Sequence, residues 1–299
     1  MSAPALLAAA RGLLPPLEGG REDLLLPLYQ GVALVALRVA VEWACLPRLR
    51  AFLKARSHGA ARGAEARARD VIEQSFCAAV IAPLTAWGWW VMLRHNGPCT
   101  PAAPAGCLVG WPGHPVTGQF RWWWLTVGGM YTGEILGTLM GGVGFRLSRE
   151  MMLHHVVTMA LMLYGYFGGL HRYGQMATTV LDTSNALLHA AKAVHASGLP
   201  QLAGAKDGLF KLFAAVFLVV RVLLPPFSMI VPGLVYGRVL PGPTYVITNG
   251  LMLVIYSLQL MWFQKILRIA GGGADRRVVD YAATPGGTPA ASPRPSKTE

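Results

Sequence analysis

The sequence predicts an all-α polytopic membrane protein, a bundle of about seven transmembrane helices. Three observations carry this. The 299 residues are 54% apolar and only 13% charged, whereas soluble domains carry about 25% charged residues. The mean hydropathy is +0.43. Several apolar stretches reach the roughly 20 residues that cross a bilayer as a helix, and they are separated by turns rich in Gly, Pro or Arg.

The elements follow in order. Residues 1–23 are rich in Ala, Pro and Gly and are expected to form a disordered lead-in. Arg11 comes after the first apolar run, and Pro15, Pro16 and Glu18 interrupt it. The first span, residues 24–47, is therefore expected to act as an uncleaved anchor. It carries Arg38 and Glu42, whose i, i+4 spacing permits an internal ion pair. Residues 48–69 hold Arg48, Arg50, Lys54, Arg67 and Arg69, as a basic cytosolic loop would. A second span over 71–93 ends in Trp87, Trp89 and Trp90, an interfacial aromatic belt.

The loop 94–120 is rich in Pro and Gly, poor in charge, and expected to be lumenal. It holds Cys99 and Cys107, either bonded to each other or free. A third span opens with Arg121, Trp122, Trp123 and Trp124, a second belt at the same interface. It runs to about 143 with Glu134 inside it, and its Gly run over 137–144 allows close helix contact. Arg146 and Arg149 mark a short cytosolic turn. The fourth span (150–169) and fifth (176–196) are joined by a Gly-rich turn. The sixth (209–235) contains Arg221 and the pair Pro225-Pro226, which must kink or break it. The seventh covers 244–269, and residues 271–299 read as a disordered tail. Span count and charge together place the N-terminus in the lumen and the C-terminus in the cytosol.

The net charge is +12. The basic residues cluster between spans and in the tail, where the positive-inside bias and anionic headgroups explain them. No RNA-binding aromatic signature or zinc-finger spacing accompanies them, so nucleic acid is not expected as a partner.

The chemistry concentrates in the hairpin of the fourth and fifth spans. Ionisable groups inside apolar spans are costly and call for a structural or functional reason. His154 and His155 point about 100° apart on one helix, so they cannot both face one point squarely. Asp182, Asn185 and His189 form one polar stripe on the next helix, which Lys192 continues. With the turn centred near 171–173, His154 is level with about 188–192, and Asp182 lies roughly 9–15 Å deeper. His189 and Asn185 are thus expected nearer the His pair than Asp182. One reading is a buried His acting as general base or nucleophile, oriented by a carboxylate. Another is a polar network that fixes helix packing. A metal site is the third, but the chain lacks the repeated His clusters of a di-iron oxidase and an i, i+4 His pair on this helix, so no metal is expected.

His154-His155 followed by Thr158, Arg172 and Gly174 at the turn, and Asp182 followed by LLHAAKA at 187–193, resemble the Lag motif of the TLC-domain (TRAM/Lag-type) family, which includes ceramide synthases. Arg221 with its prolines and Gln259 with Trp262 fit the same pattern. The resemblance covers about 70–270 and implies a TLC-type fold acting in membrane lipid metabolism or homeostasis. Ceramide synthases of the family are endoplasmic-reticulum enzymes that transfer a fatty acyl group from acyl-CoA to the amine of a sphingoid base. Their proposed catalytic residues fall here on His154, His155, Asp182 and position 185. Position 185 departs from the pattern. It is Asn, which can hydrogen-bond a His but cannot stabilise its cation as a carboxylate would. In this respect the chain is similar to other branches of the family, associated with phospholipid composition, lipid sensing or transport.

Two readings stay open: N-acyl transfer, and a non-catalytic lipid sensor or transport module that binds acyl lipids. The resemblance implies membrane lipids, acyl-CoA and a sphingoid base as partners, no bound cofactor, and a second copy of the chain as a further candidate partner. Arg146, Arg149 and Lys192 at the cytosolic mouth are candidates for the CoA phosphates.

Overall fold

The computed structural model describes residues 22–56 and 63–271. The expectations for the lead-in up to residue 21, the middle of the basic loop (57–62) and the tail from residue 272 concern residues outside this range. All regular structure among the described residues is helical. The order is α1 (Glu22–Arg56), α2 (Ala64–His95), a 3₁₀ turn (Pro104–Cys107), α3 (Gly118–Leu139), α4 (Arg149–Phe167), α5 (His171–Asp182), α6 (Asn185–Ser197), α7 (Ala203–Phe217), α8 (Val231–Tyr236) and α9 (Gly242–Gly271).

Among the described residues, four stretches are long and apolar enough to cross a membrane: α1, α2, Pro200–Val239 and α9. The other span-sized units are α3, α4 and the consecutive pair α5 and α6. These are the ones whose sequences hold Glu134, the His pair, Asp182 and Lys192, so the same residues that lower their hydropathy furnish the interior. The result is an all-α membrane bundle. α1 packs on α3 and α2, α2 on α6, α6 on α7, and α9 on α4.

Several boundaries differ from the sequence reading, each for a local reason. The basic loop is shorter than 48–69, because α1 continues to Arg56 and α2 starts at Ala64. Ala, Arg, Lys and Leu, which fill these stretches, are good helix formers. α3 stops at Leu139, and Gly141, Gly142 and Gly144 at φ +85°, +85° and +76° turn the chain out of the helix. The close helix contact lies earlier, where a Cβ on Gly31 of α1 would meet the backbone nitrogen of Gly133 of α3 at 2.8 Å. Trp123 and Trp124 are core residues, 1% and 3% exposed, and not part of a belt. They pack with Val127, Met130, Tyr131 and Met162. Trp90 and Trp122 do remain exposed.

The prolines of the sixth span do not break it. Two π-helical stretches, Leu218–Leu223 and Pro226–Ile230, carry the chain from α7 to α8. Each absorbs the lost or displaced backbone bonds around Pro225 and Pro226 by widening the turn. The predicted fifth span is interrupted at Thr183 and Ser184. Thr183 donates its hydroxyl to the Thr179 carbonyl (2.9 Å) and accepts from the Trp89 indole (3.0 Å). Both interrupting residues keep right-handed dihedrals, so α5 and α6 run on with only a tightened turn between them.

Cys99 and Cys107 are bonded to each other. Their loop folds onto the α4–α5 turn. Asn96 donates to the Arg172 carbonyl (3.0 Å), and Trp111 donates to the Gly168 carbonyl (2.9 Å).

Candidate functional site

α4 starts where the Ser148 hydroxyl caps the Met151 amide (3.2 Å), the arrangement that fixes a helix N-terminus. Less than two turns on, His154 and His155 are both buried. Their rings sit 5.7 Å apart at an interplanar angle of 79°, as the angular offset of neighbouring residues requires. The two therefore have different surroundings.

His155 is held on both nitrogens. Nδ1 donates to the Met151 carbonyl at 2.8 Å, and Nε2 meets the Glu134 carboxylate of α3. A neutral imidazole has one N–H, so a second proton must sit in the Nε2–Glu134 contact. His155 is thus engaged as half of a pair with Glu134, and no lone pair is left for a substrate. His154 is the opposite case. It packs edge-on to Trp262 of α9 with ring centroids 5.2 Å apart, and its Nδ1 has no hydrogen-bond partner among the described residues.

A second cluster lies beside the pair. The Tyr131 ring is 4.9 Å from that of His155, and the Tyr131 hydroxyl donates to Asp182 Oδ1 (3.1 Å). Asn185 Nδ2 donates to the same carboxylate oxygen (2.9 Å). Asn185 Oδ1 accepts from Arg221 Nη2 (2.7 Å). Arg221 also donates to Gln259 Oε1 (2.7 Å) and to the Leu181 carbonyl (2.9 Å). The π-turn holds Arg221 here, 4% exposed. A buried guanidinium needs this density of acceptors and a nearby carboxylate.

Three chambers meet at these residues. One, about 80 Å³, is apolar: Leu161, Met162, Leu181, Met252 and Ile255 line it, and Leu108 from the disulfide loop closes its end. A second, about 100 Å³, is also largely apolar but carries more ionisable groups, with Glu134, His155, His189 and Lys192 in its wall beside Asn185. His154, Tyr131 and Arg221 line both. A third, about 460 Å³, shares Glu73, Gln74, Arg146 and Lys192 with the second. The His pair therefore stands between an apolar compartment and a route lined by ionisable groups to the side of Arg146.

All four expected site residues are brought together, with Asp182 reaching the pair through Tyr131. His189 lines the second chamber with the pair, and its Nδ1 donates to Gln74 Oε1 of α2 (2.8 Å). Arg146 and Arg149 are both exposed. Arg149 lines none of the three chambers, while Lys192 is half-buried and lines two. Two residues of the site were missed as such. Glu134 was visible as a carboxylate in mid-span, a signal that already asks for a partner. Tyr131, three residues before it on the same helix face, carried no signal of its own.

A family model described as the TLC domain matches residues 70–268. Human "Ceramide synthase 4" is 30% identical over 169 residues, which is 56% of this chain and 42% of that protein. Human "Ceramide synthase 5" is 34% identical over 122 residues, 40% of this chain and 30% of that protein. "Alternaria stem canker resistance protein 1" of Solanum lycopersicum is 28% identical over 170 residues, 54% of each. The chain spans about half the length, or less, of these curated relatives.

Proposed function

The chain belongs to the TLC-domain family, and from that membership we propose that it is an acyl-CoA-dependent N-acyltransferase acting on a sphingoid base. That it is an integral membrane protein of lipid metabolism is common ground for this reading and its rival. The observation that carries the reading is His154. It is a buried imidazole whose Nδ1 has no hydrogen-bond partner among the described residues, in the wall between an apolar chamber and one that carries Glu134, His189 and Lys192 on the way to Arg146. An acyl thioester has the same division, an apolar chain on one side of its carbonyl and a polar carrier on the other.

In this reading the acyl chain occupies the apolar chamber and the carrier leaves by the one with the ionisable groups. The amine of the sphingoid base attacks the thioester carbonyl, forming the amide C–N bond. His154 takes the amine proton, the C–S bond breaks, and the thiolate is protonated as it leaves. Glu134 holds His155 in place, and that hydrogen-bonded pair fixes the wall beside the reacting carbonyl. Asp182, Asn185 and Arg221 set the wall opposite. Arg146 and Arg149, exposed at the mouth, meet the CoA phosphates. Lys192 is turned inward.

The disulfide supports an oxidising compartment for its loop. With the basic turn at Arg146 on the other side, this favours a lumenal N-terminus, a cytosolic C-terminus and residence in the endoplasmic reticulum. One observation favours the rival reading, a non-catalytic lipid sensor or transport module. Asn185 links a hydrogen-bonded chain from Asp182 through Arg221 to Gln259, as a scaffold would. The test is turnover. Purified full-length protein is given acyl-CoA and a sphingoid base, and the amide is measured beside a folded His154→Ala variant. Amide formation well above that variant supports the transferase. Equal background in both leaves the sensor.

A further inference from the structure

The 460 Å³ chamber is built between α1, which precedes the family match, and the bundle. Arg38 of α1 is 1% exposed and lines it. Its Nη1 lies 3.1 Å from Glu42, yet neither Nε nor Nη1 has an aligned hydrogen-bond acceptor. Glu42 is shared between two arginines, its Oε2 facing Arg38 and its Oε1 facing Arg69, which also reaches Glu65 (3.1 Å). A buried guanidinium with open donors is costly, and its geometry suits a phosphate.

The rest of the lining narrows the ligand. Four cations, Arg38, Arg69, Arg146 and Lys192, face three carboxylates, Glu42, Asp70 and Glu73. Once Arg69 and Glu42 are set against each other, Asp70 and Glu73 remain without an ion pair within 4 Å among the described residues. Glu73 is within electrostatic reach of Arg38 and Lys192. A polyphosphate would meet those two carboxylates as repulsion, and a simple phosphate would leave them unanswered. An amine next to a phosphate answers both sets. Val39, Trp43 and Leu46 form the outer margin, and Trp43 is 83% exposed on the lipid side of α1. Entry from the membrane is therefore open, and an aromatic at that level matches the headgroup interface.

We propose that this chamber binds the headgroup of a membrane phospholipid that bears a primary amine beside its phosphate, as in phosphatidylethanolamine. Arg38 and Lys192 take the phosphate, Asp70 and Glu73 take the ammonium, and the acyl chains lie along Val39, Trp43 and Leu46. This site adjoins the transfer route, sharing Arg146 and Lys192 with it, and goes beyond it in the ligand that Arg38 and Asp70 select.

Native mass spectrometry of the full-length chain in detergent tests it, titrating phosphatidylethanolamine, phosphatidylcholine, phosphatidic acid and free CoA. Phosphatidylethanolamine is expected to bind about tenfold more tightly than the other two lipids, the effect of one or two charge-assisted hydrogen bonds. Asp70→Asn and Arg38→Gln each bring it down to their level, and free CoA does not displace it. If Arg38→Gln does not fold, Glu73→Gln replaces it. Equal binding of phosphatidic acid or phosphatidylcholine, displacement by CoA, or wild-type affinity in the folded variants each overturns the proposal. No acyl transfer is read, so an inactive enzyme leaves this result intact.

Discussion

Asn185 donates its amide N–H to the Asp182 carboxylate across 2.9 Å. Its carbonyl faces the other way, to Arg221, so the amide is a directional link between a buried anion and a buried cation. A carboxylate at this position would keep the second bond and reverse the first into repulsion. Asn185→Asp is expected to destabilise the protein by about 1–3 kcal/mol, the cost of leaving a buried polar group wrongly partnered. A lowered thermal midpoint in detergent reads this out. A midpoint equal to or above that of the parent would show that the amide is not the preferred group.

The two histidines are expected to fail differently. His154→Ala removes the free imidazole and lowers amide formation by about 10²–10⁴-fold, the usual range for a lost general base. Glu134→Gln leaves His154 untouched and loosens His155, so its loss is smaller. Single-turnover measurements on both variants check the order. An equal or greater loss in Glu134→Gln would place the base at His155.

Gly31 and Gly133 set the distance between α1 and α3. A methyl group at Gly31 would lie 2.8 Å from backbone that cannot rotate away. Gly31→Ala is expected to cost about 1–3 kcal/mol, as overpacking does. The comparison is Gly118→Ala at the start of α3, where a Cβ has open space. Thermal unfolding of the two variants should separate them clearly.

His114, in the disulfide loop, responds to acid. It is buried, and its Nε2 donates to the Val109 carbonyl (2.6 Å). Burial pushes its pKa down, the nearby Arg172 adds to this, and the backbone bonds to Val109 and Gly169 oppose it. The sign follows. The folded loop resists a proton that the opened loop accepts below about pH 6.5, so closure loses stability as pH falls through that value. Hydrogen exchange over residues 108–116, corrected for intrinsic rates, should quicken from pH 7.5 to 5.5. His114→Gln should remove most of that change.

The sequence made the bundle readable because apolar length is a direct signal of a bilayer span. The His pair, Asp182 and Asn185 stood out for the converse reason, as polar groups where polarity is costly. What stayed hidden depends on rotation and depth between helices. Glu134 was noticed but could not be assigned to His155, because nothing in one sequence fixes how α3 is turned toward α4. Trp123 and Trp124 were placed at an interface by their neighbours in sequence, and only packing shows that both rings enter the core. The interruption at Thr183 and Ser184 was invisible as well, since neither residue is a strong breaker and the contact with Trp89 comes from another helix.

The π-turn at Leu218–Leu223 has one more consequence. A π-turn is an α-helix with one residue too many, held in phase by its surroundings. Delete any one residue there and the segment can relax to an α-helix. Side chains beyond the turn can then keep their phase, because the wide turn was what absorbed the extra residue, whereas those inside it are repositioned around the axis. This stretch is thus constrained in count more than in composition. Apolar substitutions at its outward positions should be absorbed, whereas a single-residue deletion within 218–220 would turn Arg221 away from Asn185 without changing any residue of the site.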